Sequence, residues 1–307
     1  MTKVFIDGSA GTTGLRIVDR LSARDDLQLM ILPDELRKDT SARADALASA
    51  DIAFLCLPDD AAKESAALAK GMKVKIIDTS TAHRVDPDWV YGMPELAGQT
   101  EKILASNRIA NPGCHASGFV ALVAPLVQAG ILSKDAALTS FSLTGYSGGG
   151  KKMIAEYEAA DRNPLLKGPR QYALTQSHKH LKEMVKLCGL EAAPVFCPIV
   201  GDFYSGMEVT VPVFAKDLKG TAEDIKKLYT QYYQKGLIHY TEETDPDGML
   251  SAAAFSGRDD MAVSVVGNED RILLVSRFDN LGKGASGAAI QNMNLLLGLN
   301  QATGLNV

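Results

Sequence analysis

The segment KVFIDGSAGTTGLRI, residues 3–17, indicates how the chain begins to fold. A short apolar run, Lys3–Ile6, predicts a β-strand, and a helical pattern follows from Gly14 to Ser22. Three glycines lie between the two, and glycine lets a backbone turn tightly and approach a pyrophosphate. The spacing is GxxGxxG rather than the usual GxGxxG, so a tight turn without a ligand is the alternative. We assign the predicted cofactor contacts of this turn to Gly8, Ser9, Gly11, Thr12, Thr13 and Gly14.

Charged residues after the second predicted strand, Leu27–Leu32, give opposite indications of which dinucleotide binds. Asp34 lies 20 residues beyond Gly14, where an acidic side chain would bind the ribose 2′-hydroxyl of NAD. Arg37 and Lys38 follow it, and they could hold the 2′-phosphate of NADP. The local sequence leaves the choice open.

The hydrophobic pattern predicts an α/β protein built from two domains. In the first half of the chain, short apolar runs alternate with helical patterns, as is typical of βαβ units and a parallel sheet. Beyond residue 140, segments such as GMEVTVPVFA alternate with period two, which indicates a largely antiparallel sheet. We therefore predict a Rossmann-like nucleotide-binding domain, residues 1–113 plus 280–307. An inserted α+β domain, residues 114–279, would carry catalysis and oligomerisation.

Composition excludes several classes of protein. The net charge of −5 argues against a nucleic-acid-binding surface, and no apolar run reaches the length of a membrane span. The first residues lack the apolar core of a signal peptide. The four cysteines, Cys56, Cys114, Cys188 and Cys197, are too dispersed for a disulfide framework, so we expect reduced thiols and a cytoplasmic protein. A metal site formed by His178, His180, Cys188 and Cys197 matches no zinc spacing, and we predict none.

The segment NPGCHASGF, beginning at Asn111, places Cys114 after a turn and before a predicted helix, Ala116–Gly130. A helix N-terminus lowers the pKa of a thiol and offers backbone N–H groups to an oxyanion. Cys114 is therefore a candidate nucleophile, and a small buried apolar residue is the alternative. His115 should point away from it as its neighbour along the helix.

A second candidate site lies in SHKHLKEM, where His178 and His180 precede Glu183. On a helix His180 and Glu183 share a face, so the carboxylate could orient the imidazole as a general acid or base. The alternative is a solvated basic helix start. For a phosphate-bearing substrate, the candidate cationic and neutral contacts are Arg84 with Ser80 or Thr81, and Lys151 with Lys152.

Six motifs, in order across nearly the whole chain, resemble one known family. They are DGSAGTTGLRI, VYGMPEL, NPGCHAS, GYSGGGK, HKHLKEM and DNLGKGASGAAIQNMN. Together they resemble the N-acetyl-γ-glutamyl-phosphate reductase family in its shorter, type 2 form. Aspartate-semialdehyde dehydrogenases share the architecture, but their cysteine motif differs from NPGC. A non-catalytic dinucleotide-binding regulator is the alternative from another class.

The resemblance implies an NADP(H)-dependent reductase in which Cys114 attacks an acyl phosphate. It implies His180 as the acid/base with Glu183 beside it, although His178 lies in the same HxH motif. Lys182 stands where the family more often has proline. The resemblance also implies cofactor contacts at Lys283, Gly284 and Ser286. Asn111 and Tyr146 are candidate substrate contacts, and the alternating faces of the inserted sheet suggest a homodimer or homotetramer. Arg170 is a further candidate for the substrate's polar groups, and a carrier-bound substrate stays open.

Overall fold

The computed structural model describes residues 1–307, and the chain divides into two compact units. One unit comprises Met1–Pro112 and Ala285–Leu305, and the other comprises Gly113–Gly284 and Asn306–Val307. No helix in either unit is both long and apolar enough to cross a membrane. Each unit contains its own β-sheet.

Strands and helices alternate along residues 1–112. They are β1 (Thr2–Asp7), α1 (Thr12–Leu21), β2 (Leu27–Met30), α2 (Thr40–Ser49), β3 (Ile52–Leu55), α3 (Asp59–Leu68), β4 (Lys75–Asp78), β5 (Val90–Tyr91), α4 (Gln99–Leu104) and β6 (Arg108–Ala110). All six strands pair in parallel, in the order β2-β1-β3-β4-β6-β5. This confirms the predicted Rossmann-like sheet. The strand order reverses between β1 and β3, and ligands of such sheets bind at the carboxyl ends beside that reversal.

The core of this unit follows from the alternation of side chains along β1. Val4 and Ile6 pack into one apolar cluster, whereas Phe5 points into the cluster on the other side of the sheet. Helix α1 begins at Thr12, two residues before the predicted start. Gly14 therefore lies inside the first turn, although glycine disfavours helix interiors. A Cβ on Gly14 would lie 2.4 Å from the carbonyl oxygen of Gly8, so the close approach of helix and turn requires glycine there.

The second unit contains α5 (Cys114–Gln128), β7 (Thr139–Gly145), α6 (Gly150–Glu158), β8 (Arg170–Gln171), α7 (His180–Cys188), β9 (Val195–Gly201), β10 (Met207–Phe214), α8 (Ala222–Tyr232), β11 (Ile238–Tyr240), β12 (Met261–Gly267) and β13 (Arg271–Phe278). Its seven strands run in the order β11-β12-β13-β10-β7-β9-β8. Only β11 with β12 and β7 with β9 pair in parallel, so the predicted largely antiparallel sheet is confirmed.

Helix α5 is covered along almost its whole length, and residues 115–127 are all buried. A Cβ on Gly118 would lie 2.6 Å from Val209 on β10, so this glycine lets the helix approach the sheet closely. The result is a fixed N-terminus for α5 over the inner face of the sheet. The chain then returns to the first unit through α9 (Gly287–Leu296), whose Ala289, Ile290 and Met293 join the cluster of Val4 and Ile6.

Candidate active site

Cys114 is the first residue of α5, two residues earlier than the predicted helix start. The N–H groups in the first turn of a helix have no partner within the helix, and the helix dipole places partial positive charge there. Gly113, the residue before the cysteine, donates its backbone N–H to Glu183 Oε2 at 3.0 Å. The half-buried Cys114 thiol therefore lies at the positive end of the α5 dipole, with the Glu183 carboxylate bound to the preceding residue.

Helix α7 positions the second candidate group. His180 is its first residue, and its backbone nitrogen is 3.3 Å from Nδ1 of His178, which accepts the hydrogen bond. Glu183 lies in the first turn and is fully buried. Its Oε1 is 4.0 Å from His180 Nε2, while its other oxygen accepts from Gly113. One carboxylate thus faces both the histidine and the turn that carries the cysteine.

The predicted nucleophile and the predicted acid/base lie together. Cys114 Sγ and one side-chain nitrogen each of His115 and His180 are all within 4.8 Å of one another. Atoms this close could also share a metal ion, a set that sequence reasoning did not consider. Cys188 and Cys197 lie outside this group.

The expectation that His115 points away from Cys114 was wrong. Its Nδ1 is 2.5 Å from Ser142 Oγ, and its Nε2 is 2.6 Å from the Tyr172 hydroxyl. Successive helical residues differ in direction by about 100°, not 180°, so an imidazole next to the cysteine can still reach the same cluster. Burial, with a smaller contribution from nearby His178, lowers the pKa of His115 to about 3. His115 is therefore neutral near pH 7.

Sequence reasoning missed Tyr172 and Ser142 altogether. Tyr172 lies just beyond β8, in a segment without any motif, and Ser142 is an inward-facing residue of β7. Burial raises the pKa of Tyr172 well above its usual value, and negative charge on Cys114 raises that pKa further. Neither residue carries a local signal, because their proximity to His115 arises from long-range pairing of the strands.

The predicted glycine turn borders a cavity of about 460 Å³ in the first unit. The cavity is lined by residues that include Gly8, Ser9, Gly11, Arg37, Lys38 and Arg43. Gly8 has a φ of +87°, and a Cβ there would lie 2.4 Å from the carbonyl oxygen of Cys56. Thr12, Thr13 and Gly14 form the first turn of α1 beside it. Asp34 pairs with Arg37 at 3.3 Å on the surface and does not line the cavity.

The candidate phosphate contacts of the first unit are held in a buried loop after β4. Arg84 is buried and donates from Nη2 to the carbonyl oxygen of Thr79 at 3.0 Å. Ser80 donates its hydroxyl to Asp78 at 2.8 Å, and His83 Nδ1 lies 2.6 Å from the same carboxylate. Asn111, also buried, donates to the carbonyl oxygen of Ala285 at 2.9 Å. Ser80 is therefore bound to Asp78 rather than directed outward.

The remaining predicted residues lie in glycine-rich segments of the chain. Tyr146 stacks on Tyr157 with ring centroids 4.8 Å apart, and its hydroxyl donates to Glu158 at 3.4 Å. Lys151 is exposed on α6, and Arg170 is exposed on β8. Lys283 and Ser286 are buried in a short π-helical turn, Gly282–Ser286. A Cβ on Gly284 would lie 3.0 Å from Cys114 Cβ, so this turn passes directly against the cysteine.

Comparison with known proteins places these features in context. Residues 33–104 match the semialdehyde dehydrogenase NAD-binding domain, and residues 114–280 match the semialdehyde dehydrogenase dimerisation domain. N-acetyl-gamma-glutamyl-phosphate reductase 2 of a Nostoc species is 45% identical, with 99% of each chain covered. N-acetyl-gamma-glutamyl-phosphate reductase of Brucella ovis is 46% identical, covering 96% of this chain and 99% of that protein.

Solved structures share the fold at low sequence identity. Aspartate semialdehyde dehydrogenase II of Vibrio cholerae superposes with a TM-score of 0.72 at 19% identity, covering 97% of this chain and 98% of that one. Aspartate semialdehyde dehydrogenase of Candida albicans, crystallised with NADP, gives a TM-score of 0.65 at 16% identity, covering 97% and 98%. At such identities the likeness concerns the fold alone.

Proposed function

The chain belongs to the semialdehyde dehydrogenase family and, within it, to the N-acetyl-γ-glutamyl-phosphate reductases, and we propose which of its residues carry out the reaction. It reduces N-acetyl-γ-glutamyl phosphate to N-acetylglutamate semialdehyde and phosphate, a step of arginine biosynthesis, with a nicotinamide dinucleotide. The observation that carries the assignment of residues is the placement of Cys114 at the N-terminus of α5, with His180 in the same 4.8 Å cluster.

Cys114 is the nucleophile. Its thiolate attacks the acyl carbon, a C–S bond forms, and the carbonyl oxygen takes up negative charge next to the first N–H groups of α5. The C–O bond to the phosphate then breaks with its electron pair, which leaves a thioester on the sulfur. A bound nicotinamide supplies the hydride that reduces this thioester.

His180 is the acid/base. It gives a proton to the oxygen of the thiohemiacetal and takes it back as the C–S bond breaks and the semialdehyde leaves. His178 is the alternative within the motif, but its Nδ1 already accepts from the backbone N–H of His180, and it does not belong to the Cys114 cluster. Glu183 is a positioning residue, because its two oxygens face His180 and Gly113.

The cofactor is NADP(H). The cavity beside the glycine turn suits a dinucleotide, since Gly8 and Gly11 line it and, without side chains, let a pyrophosphate approach the backbone. Arg37 and Lys38 line this cavity and would hold the 2′-phosphate, whereas Asp34 does not line it. The backbone of Ser9, Thr12 and Thr13 would contact the pyrophosphate, and the turn with Lys283, Gly284 and Ser286 would contact the rest of the cofactor.

Arg84 is the principal contact for the substrate's phosphate. A guanidinium that is already buried interacts strongly with an anion, because little water remains to screen the charge. Ser80, whose hydroxyl donates to Asp78, would hold the loop that carries Arg84, and Asn111 precedes the turn that carries Cys114. Lys151 and Tyr146, from the GYSGGGK segment, would complete the polar contacts with the substrate.

A second copy of the chain covers the outer face of the second sheet, which gives a homodimer or homotetramer. Phe141 on β7, Val195 on β9, and Phe214 on β10 are each about half exposed on this sheet, and Leu273 on β13 is also exposed. Solvent-exposed apolar side chains grouped on one sheet mark an interaction surface. Residues 1–113 plus 280–307 would bind the nucleotide, and residues 114–279 would catalyse and associate. The four cysteines are free thiols, which suits the reducing cytoplasm.

The test of this function runs the reaction in reverse. Purified protein is given N-acetylglutamate semialdehyde, NADP⁺ and inorganic phosphate, and NADPH is followed by absorbance, with aspartate semialdehyde as the competing substrate. Phosphate-dependent reduction of NADP⁺ with N-acetylglutamate semialdehyde supports the proposal. Preference for aspartate semialdehyde would support the alternative dehydrogenase. Tight NADPH binding without turnover of either substrate would instead identify a non-catalytic regulator.

A further inference from the structure

The hydroxyl groups bonded to His115 form a buried chain that the reaction described above does not use. Ser142, His115 and Tyr172 are linked by contacts of 2.5 Å and 2.6 Å, and His115, the middle member, also belongs to the cluster that contains Cys114. Ser142 is fully buried and His115 nearly so. The ring of His115 is enclosed by Phe196 at 5.3 Å and by His178 at 5.9 Å between ring centroids.

The direction of the hydrogen bonds in this chain follows from the number of donors. A neutral imidazole has one N–H donor and one acceptor nitrogen, whereas each hydroxyl can donate once and also accept. Ser142 is buried on β7, and its hydroxyl contacts His115 Nδ1, so donating there satisfies its proton. A buried hydroxyl proton without an acceptor would cost about 1–3 kcal/mol. The proton on His115 is then at Nε2, and Nε2 donates to the oxygen of Tyr172.

This direction leaves the proton of Tyr172 available for another acceptor. The Tyr172 hydroxyl receives a bond from His115, which belongs to the Cys114 cluster, and keeps its own O–H to donate. A hydroxyl that accepts one hydrogen bond becomes a better donor in the next. An acyl group attached to Cys114 would present its oxygen to this region.

We propose that Tyr172 is a further catalytic residue, which donates a hydrogen bond to the acyl oxygen of the substrate, and that Ser142 and His115 are positioning residues that direct its proton there. This inference rests on the proposed function. Tyr172 would act together with the N–H groups of α5, so that the oxygen is stabilised from the side chain and from the backbone. His115 stays neutral in this role, because a protonated imidazole would have no acceptor for the Ser142 proton.

The test is a double-mutant cycle measured by phosphate-dependent NADP reduction. Tyr172→Phe removes one oxygen atom, and we expect kcat to fall about 100-fold, as for loss of one oxyanion donor, with NADP binding unchanged. Ser142→Ala should lower kcat about five-fold, which corresponds to loss of one ordinary hydrogen bond. If the two act through one chain, Ser142→Ala should have no further effect in the Tyr172→Phe background.

Ser140→Ala is the matched control. Ser140 is buried two residues earlier on the same strand, and its hydroxyl makes no hydrogen bond, so this variant should keep the wild-type kcat. Thermal melting confirms that each variant is folded. If the wild type and Ser140→Ala both lack activity, the proposed function fails. If both are active and Tyr172→Phe has the same kcat as they do, the Ser142–His115–Tyr172 chain has no catalytic role. The same conclusion follows if Ser142→Ala lowers kcat by the same factor with and without Tyr172→Phe.

Discussion

At the scale of single residues, the motifs identified the reactive groups but not their surroundings. Cys114, His180 and Glu183 come from two short motifs, and the structure brings them together. Their contacts depend on where α5 and α7 meet, which no local pattern records. His115 is the clearest example. As the neighbour of Cys114 along the helix it was expected to point away, but packing places its imidazole in the same cluster.

Replacing the nucleophile gives the first prediction. Cys114→Ser should lower kcat by about 10³-fold or more, because a serine hydroxyl is a far weaker acid and a poorer nucleophile than a thiol near pH 7. NADPH binding, followed by fluorescence titration, should stay within twofold of the wild type. Cys197→Ser, which changes a half-buried thiol outside the cluster, should keep its activity. Wild-type rates in Cys114→Ser would rule out the covalent route.

The depressed pKa of His115 predicts how stability depends on pH. An unfolded histidine titrates near about 6.5, and the folded His115 titrates at about 3, so between these values only the unfolded chain binds the proton. The free energy of unfolding therefore has its full contribution from neutral His115 above the pKa of the unfolded state. This contribution falls as the pH drops below that value. By pH 5 the wild type should lose about 2 kcal/mol from this group alone.

The variant His115→Gln lacks this titration and should lose less stability between pH 7 and pH 5 than the wild type does. Urea unfolding at both pH values measures the difference, since carboxylates titrate alike in the two proteins. Parallel loss in both would mean that His115 is not buried in its neutral form.

At the scale of elements, periodicity predicted the strands well and the helix starts less well. The parallel and largely antiparallel sheets follow from continuous and alternating apolar runs. Helices α1 and α5 each begin two residues earlier than predicted. For α1 the predicted start was Gly14, whereas the helix already begins at Thr12 and Gly14 packs against Gly8 within its first turn. The earlier start of α5 makes Cys114 its first residue and so places the thiol directly at the helix N-terminus.

The glycine turn before α1 gives a prediction that separates folding from cofactor binding. Gly8→Ala should destabilise the protein by at least about 2 kcal/mol, because residue 8 has positive φ and a Cβ there meets a backbone oxygen. Gly11→Ala should change stability by less than about 1 kcal/mol, since residue 11 has an extended backbone and its nearest neighbour is 3.5 Å away.

Gly11 nevertheless lines the cavity, so a methyl group there should weaken NADPH binding about tenfold or more. Thermal melting measures the change in stability of each variant, and NADPH titration measures the change in binding. If Gly11→Ala binds NADPH normally, the turn does not hold the pyrophosphate.

At the scale of the whole molecule, the chain leaves the nucleotide-binding unit after Pro112 and re-enters it at Ala285. From the sequence, the β-rich runs beyond residue 140 and the final amphipathic helix predict an inserted domain, residues 114–279. The sequence alone could not identify the surface proposed for a second copy, because the outward-facing residues of a sheet become recognisable only once strand register is known.

Charge on this outer face should disrupt the oligomer. Phe141→Glu places a carboxylate at a half-exposed apolar position on β7. Because burying this charge in an interface costs free energy, the variant should be found largely as smaller species. Leu104→Glu, a comparable change at an exposed position of α4 in the other unit, should leave the assembly unchanged. Light scattering coupled to gel filtration measures both. An unchanged mass for Phe141→Glu would place the interface elsewhere.

The most direct test of the central claim is to stop the reverse reaction at the covalent step. Protein is mixed with N-acetylglutamate semialdehyde and NADP⁺ in the absence of phosphate, so that no acceptor is present to release the acyl group. We predict a burst of one NADPH per chain, and mass spectrometry should find an N-acetylglutamyl group attached to Cys114. A burst without acylation of Cys114, or steady phosphate-dependent turnover by Cys114→Ser, would contradict the account.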